Sequence, residues 1–215
     1  MSFADYVANN AERLTFLTIQ HVQVVLISVA LATVLAIAIA AATEQMPRAR
    51  RGALSVSGTL LTIPSFALFG LMIPVFGLGV VPTILALTTY AVFPILRNTV
   101  TGLEGVDASV VDAARGMGMG TWRRLMVVRL PLAWPVILNG IRVATIMVVA
   151  IAAIGAAVRG PGLGELIFRG LARIGGANAL NEVLSGVLGV IALALALDIA
   201  FLIIAKLTTP RGLNV

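Results

Sequence analysis

Five long apolar runs constrain the fold of this chain more than any other feature of its sequence. They cover roughly residues 17–42, 56–80, 82–98, 132–158 and 183–206. A helix needs about 20 consecutive apolar residues to cross a bilayer, and only helices or closed barrels satisfy their backbone polar groups there. The chain is 60% hydrophobic and 11% charged, whereas soluble domains are about one quarter charged. We therefore predict an all-α membrane protein with five transmembrane helices.

The distribution of lysine and arginine predicts how these helices are oriented. The loop after the first run, the segment around residues 97–131 and the C-terminus together carry ten basic residues, against four on the other side. Basic residues collect on the cytoplasmic side of membrane proteins. We therefore expect residues 1–16 outside the cell, and the insert 99–131 and the tail 207–215 in the cytoplasm. The net charge of +6 then reflects topology, and no nucleic-acid partner is predicted.

The composition offers little for catalysis or metal binding. The chain has no cysteine and one histidine, His21, which argues against thiolate chemistry and a transition-metal site. The sequence contains no Gly-x-x-x-x-Gly-Lys-Ser/Thr loop for binding ATP. We predict no catalytic residue and no metal site, and we interpret His21 as a satisfied interfacial residue near the outer end of the first run.

The polar insert between the third and fourth runs has an internal pattern. Asp107 can cap a short helix that begins at Ala108, and the glycine-rich run 116–120 ends it and allows a turn. Thr121 can cap a second short helix that runs through Arg129. The insert is thus predicted to form a helix–turn–helix, here called the bracket (residues 107–129), held between two membrane helices.

Regularly spaced residues run through the bracket and past its end. They read Asp112-Ala113-Ala114, three residues, Gly118, nine residues, Val128, one residue, and Leu130-Pro131. This spacing resembles the coupling segment of the permease subunits of ATP-binding-cassette importers. The family pattern has Glu-Ala-Ala at the start and Ile-x-Leu-Pro at the end, so the departures are Asp for Glu and Val for Ile, with every interval kept.

The resemblance implies a type I importer permease (MetI-like) fold, in which the coupling helix docks in a cleft of a separate ATPase. It implies an ATPase dimer that binds ATP and Mg, a second permease subunit that is identical or paralogous, and an extracytoplasmic solute-binding protein. It also implies a prokaryotic cytoplasmic membrane as the location. The expected coupling residues are Asp112, Ala113, Ala114, Arg115, Met117, Gly118, Arg123, Leu130 and Pro131.

Other segments are similar to permeases for the osmoprotectants glycine betaine, choline and carnitine. They are residues 62–79, with two prolines, and residues 94–99, 116–120 and 162–170. The alternative cargo is methionine or another amino acid, whose importers share the coupling motif. Some osmoprotectant permeases carry a fused binding domain; this chain ends at Val215, so a separate binding protein is expected. A membrane enzyme or a passive channel is disfavoured, because neither explains a coupling bracket.

One helix face in the second run suits a quaternary ammonium ion. At about 100° per residue, five of its side chains fall within about 80° of one another. Because a quaternary ammonium ion has no N–H to donate, hydroxyls and aromatic ring faces are suitable contacts; the alternative is ordinary helix packing. Pro64 and Pro74 are predicted to bend this helix and to serve gating. The candidate path residues of this face are Ser55, Thr59, Thr62, Phe66 and Phe69.

Two further polar features need an explanation. Asp198 lies inside the last run, where a carboxylate is costly unless it is paired or hydrated. It attracts a cationic solute, pairs with Arg142, or makes a structural hydrogen bond, and Asn139 is expected to join the same network. On the outer side, residues 165–174 are predicted to form an amphipathic helix that either covers a pathway or rests on the bundle.

Overall fold

A computed structural model describes residues 1–208, and within that range all regular structure is helical. The last residues of the predicted tail, 209–215, lie outside the described part. Besides the α-helices there are a π-helical turn at Leu125–Arg129 and a 3-10 turn at Gly155–Val158. In chain order the α-helices are α1 (Phe3–Asn9), α2 (Ala11–Ala42), α3 (Pro47–Leu61), α4 (Ser65–Phe76), α5 (Val80–Glu104), α6 (Ala108–Gly116), α7 (Thr121–Arg124), α8 (Leu130–Ile154), α9 (Gly164–Ala172) and α10 (Ala179–Thr208).

Four helical stretches of the described chain are long and apolar enough to span a membrane. They are α2, α5, the stretch Thr121–Val158 and α10, and a fifth span exists if the bent pair of α3 and α4 crosses as one. The axes of α3 and α4 differ by 97°. The five predicted spans are therefore present if this broken pair is counted as one span.

The break between α3 and α4 confirms the bend predicted at Pro64, but it is sharp enough that residues 56–80 do not form one helix. Helix α3 ends at Leu61 and α4 begins at Ser65, with Pro64 in an extended conformation between them. Proline lacks an N–H for the helical ladder and forces the residue before it away from helical geometry. Pro74, in contrast, lies inside α4 without ending it.

The bundle is organised around α5, which packs against α2 and α8 and also against α3 and α4. Its close contacts depend on small side chains: Ala32, Ala86 and Ala144 are fully buried, and small residues let membrane helices approach closely. Helix α10 lies at the periphery, against α8 and α9. Helix α5 continues to Glu104, so the polar insert begins later than the predicted residue 99.

The loop at residues 155–178, here called the outer loop after its predicted side, is attached to the bundle by specific hydrogen bonds. The Nε2 atom of His21 lies 3.0 Å from the Val149 carbonyl oxygen, and the Leu163 N–H donates to Nδ1 at 3.2 Å. His21 is fully buried, so its interpretation as an interfacial residue is wrong, although its polar atoms are satisfied as expected. His21 is buried because the loop folds back onto α2, although Leu163 lies 142 positions after His21 in the chain.

Two ion pairs attach the helix of the same loop to α2 and α10. Arg13 Nη2 of α2 lies 2.6 Å from Glu165 Oε1, and Arg169 donates two hydrogen bonds to Glu182 of α10. The predicted outer helix is present as α9, and it packs on α10 and α8. Of the two alternatives for this helix, the structure favours the one in which it rests on the bundle.

Candidate coupling site and translocation path

The bracket is built by local hydrogen bonds that its sequence specifies. The Ser109 N–H donates to Asp107 Oδ1 at 2.8 Å, which caps α6 as predicted and lowers the pKa of that carboxyl below its usual value. After α6, Gly118 has φ +80°, a conformation that glycine adopts without strain. The Met119 N–H then donates to the Ala114 carbonyl and closes the turn. The turn between α6 and α7 therefore lies at the glycine of the motif.

The cap predicted at Thr121 is wrong. Gly120 occupies the N-cap position of α7 and no side chain caps that helix. The Thr121 hydroxyl instead accepts a bond of 3.3 Å from Arg124, whose Nη1 also donates to the Met119 carbonyl at 2.7 Å. The turn is thus held by Arg124, which the sequence pattern did not single out.

Most of the predicted coupling residues are exposed in the described chain. Met117 is 71% exposed. Trp122, which is not among the predicted coupling residues, is 64% exposed. Ala114 is different, because it is buried within the chain and so packs the bracket instead of facing outward. Leu130 is half-buried and Pro131 exposed at the start of α8. The other exposed members are Asp112, Ala113, Arg115, Gly118 and Arg123.

The five candidate path residues do not share one helix face, because the break at Pro64 separates them. Ser55 and Thr59 on α3 and its C-cap Thr62 are exposed, and the two threonine hydroxyls donate to carbonyls of the same helix. On α4, Phe66 is 64% exposed whereas Phe69 is fully buried. The predicted alignment is therefore wrong for Phe69, which belongs to the core.

Asp198 is paired with Arg142, which decides between the three alternatives for this carboxylate. Arg142 Nε and Nη2 donate to the two carboxylate oxygens at 2.6 Å and 2.9 Å. Such a two-bond pair neutralises both charges and fixes α10 against α8. Asn139 is exposed, and with Arg142 and Phe201 it lines a small cavity of about 170 Å³.

The comparison with known families decides what kind of protein carries this bracket. Residues 23–211 match the family described as the binding-protein-dependent transport system inner membrane component. This chain belongs to that family. It is a permease subunit of an ATP-binding-cassette importer, a transport component of the inner membrane.

Similar proteins extend over the whole chain. The osmoprotectant import permease OsmW of Salmonella typhimurium is 36% identical over 219 aligned positions, which cover all of both chains. The glycine betaine/carnitine/choline permease OpuCB of Bacillus subtilis is 33% identical and covers 97% of this chain and 94% of its own. Among solved structures, the inward-facing MetNI methionine transporter superposes with a TM-score of 0.78 at 22% identity, over 92% of this chain and 96% of that one. At that identity the likeness shows the fold alone.

Proposed function

We propose that this chain forms the membrane pathway of an ATP-driven importer for quaternary-ammonium osmoprotectants such as glycine betaine, choline or carnitine. The observation that carries the proposal is similarity over the full length to OsmW and OpuCB, whose names specify osmoprotectant cargo. The methionine transporter supports only the fold. The pathway requires a second permease subunit, identical or paralogous, and a solute-binding protein on the outer side delivers the cargo.

The bracket docks on a separate ATPase, whose dimer binds ATP and Mg. Its exposed surface combines two cations, Arg115 and Arg123, with the apolar side chains of Met117 and Trp122. Arginines pair well with carboxylates, and methionine adapts to a partner surface. The excess of basic residues on this side supports a cytoplasmic bracket and C-terminus, with the N-terminus outside.

The exposed hydroxyls of α3 and the ring of Phe66 are the groups that contact the cargo in this proposal. They are exposed polar and aromatic groups on a membrane helix pair, and an aromatic face attracts a quaternary ammonium ion. Asn139 faces outward from α8 and adds an amide to the path. The Pro64 break provides the flexible point for gating, whereas Asp198 is already neutralised by Arg142.

Uptake measurements test the cargo. A strain lacking this gene should lose uptake of labelled glycine betaine or choline under osmotic stress, and the gene on a plasmid should restore it. Labelled methionine uptake, measured in the same cells, should not change. Loss of methionine uptake with intact osmoprotectant uptake would overturn the cargo assignment and establish the alternative.

The coupling role is tested separately by Gly118→Asp. A Cβ at Gly118 meets no atom within 4 Å, so the protein should still fold and reach the membrane. The variant is strained at φ +80° and adds a negative charge where the proposal places partner carboxylates, so ATP-driven uptake should be lost. Gly116→Ala is the matched control, since it also meets open space without a positive φ. Normal uptake by Gly118→Asp would contradict docking through this turn.

A further inference from the structure

Arg129 connects the end of the bracket to two other helices. Its Nη1 donates to the carboxylate of Glu44, two residues past the end of α2, and its Nη2 donates to the Leu103 carbonyl at the end of α5 at 2.6 Å. Both side chains of the Arg129–Glu44 pair are largely buried. The two partners are 85 and 26 positions away in the chain, so these bonds join separate membrane elements.

The electrostatics at this junction favour one cation shared by both helix ends. The C-terminus of a helix carries partial negative charge on its unpaired carbonyls. Neither α2 nor α5 has a basic residue in its last turn, and Glu44 adds a full negative charge beside the end of α2. Arg129 therefore brings a positive charge from the bracket to both ends, neither of which has a basic residue of its own.

The helix that carries Arg129 is continuous from the bracket into the membrane. The stretch Thr121–Ile154 is helical without interruption, and its π-helical turn, Leu125–Arg129, ends at this arginine. Such π-helical turns recur at functional sites. A displacement of the bracket is therefore transmitted along α8, and at Arg129 it also meets α2 and α5.

We propose that Arg129 is a positioning residue that makes the cytoplasmic ends of α2 and α5 move together with the bracket when the ATPase acts on it. This inference rests on the proposed function, since it requires ATP-driven movement. Arg50 extends the linkage to α3, because its Nη2 lies 2.9 Å from Oε1 of Glu104, the residue after Leu103. Arg129 thus connects the ends of α2 and α5 to the start of α8, and the guanidinium of Arg50 adds α3.

The distance between α2 and the bracket tests this proposal directly. The chain contains no cysteine, so Gln45→Cys beside Glu44 and Ser109→Cys on α6, both at exposed positions, place two spin labels. The complete importer is reconstituted with its ATPase, with labelled chains diluted in unlabelled ones. The intrachain distance is compared between the nucleotide-free and vanadate-trapped states. In the otherwise wild-type chain it should stay constant, and in Arg129→Gln it should change.

Transport per ATP provides the functional readout. Arg129→Gln and Glu44→Gln should keep ATP hydrolysis but lower uptake per ATP at least about fivefold, the low end of typical coupling between sites. Arg13→Gln, which removes the outer pair with Glu165, is the matched control and should keep the wild-type ratio. If Arg129→Gln does not accumulate, Arg129→Lys, which keeps the charge but cannot bridge both partners, replaces it.

The outcomes separate the two proposals. A label distance that changes in the otherwise wild-type chain, or a normal uptake per ATP in the Arg129 and Glu44 variants, would overturn the role of Arg129. ATP hydrolysis and uptake falling in parallel would also overturn it, because that pattern indicates a structural role only. A wild-type complex with no ATP-driven uptake would instead contradict the proposed function.

Discussion

Two glycines of the outer loop and two of the bracket differ in how much space surrounds them. In the outer region, a Cβ on Gly164 would overlap the backbone of Ala153, and one on Gly170 would overlap that of Ala179. In the bracket, a Cβ on Gly116 or Gly118 would meet nothing within 4 Å. Gly164 and Gly170 therefore allow close packing inside the chain. Those of the bracket border open space, at the turn that the proposed function places against the ATPase.

The polar contacts of the outer loop and the bracket differ in the same way. The outer loop is held by His21 and by the ion pairs of Arg13 and Arg169, whereas Arg115 and Arg123 of the bracket are exposed. Mutations in the outer loop should therefore act on stability, and mutations in the bracket should act on coupling. The predictions below test this division, from the largest effect on stability to the smallest.

Substitution of Gly164 should have the largest effect. Gly164→Val forces the backbones of the loop and α8 apart, and overpacking of this kind costs about 3 kcal/mol or more when backbone has to move. We expect little protein in the membrane and a strongly lowered unfolding temperature in detergent. Gly116→Ala is the control and should match the wild type in both measurements. Equal unfolding temperatures for Gly164→Val and the wild type would contradict the difference in packing between the outer loop and the bracket.

His21→Ala should have the next largest effect. It leaves the buried Leu163 N–H without its acceptor, which costs about 1–3 kcal/mol, and it leaves a cavity beside Val149. Gln23→Ala, at an exposed position of the same helix, is the matched control. Thermal unfolding and proteolysis of the outer loop measure the effect. A variant that unfolds like the control would show that the imidazole does not hold the loop.

The sequence predicts helices well, one of two helix caps correctly, and long-range contacts poorly. The apolar runs and the Asp107 cap depend on neighbouring residues, so they can be read from the chain. The single polar and aromatic face predicted for the second span is wrong because it requires a straight helix through Pro64, where a bend is itself predicted and observed. The burial of His21 was missed because α2 is apolar all round, so no periodic pattern distinguishes its inner face.

The coupling residues show the same limit. The spacing from Asp112 to Pro131 identified the bracket, but it could not show that Ala114 packs inward. The role of Arg129 depends on Glu44, 85 positions earlier, and no local pattern links the two. Arg142 and Asp198 are also far apart, yet they were considered together because both are charged at the same expected membrane depth.

Removal of Asp198 should destabilise the protein less than the loss of His21, since the Arg142–Asp198 pair lies on the partly exposed side of α8 and α10. Asp198→Asn leaves the Arg142 charge without a counter-charge at membrane depth. The double variant Arg142→Gln/Asp198→Asn removes both charges, so it should unfold at a higher temperature than Asp198→Asn alone. We also expect the double variant to retain osmoprotectant uptake. Selective loss of that uptake in a stable double variant would instead favour direct contact between Asp198 and the cargo.

The smallest effect on the bundle is expected for Asp107→Ala, because this carboxylate caps only α6. Its pKa is lowered by the hydrogen bond from the Ser109 N–H, so the cap stabilises α6 above the usual carboxyl pKa and is lost as the pH falls through the lowered value. Faster amide exchange at Ser109–Val111 at neutral pH should reveal the missing cap, with the unfolding temperature of the bundle unchanged. Asp107→Ser keeps an acceptor and should retain the protection without the acid dependence. An unfolding temperature lowered as much as in Gly164→Val would mean that the bracket is part of the folding core, and the two sides of the protein would then not differ as described.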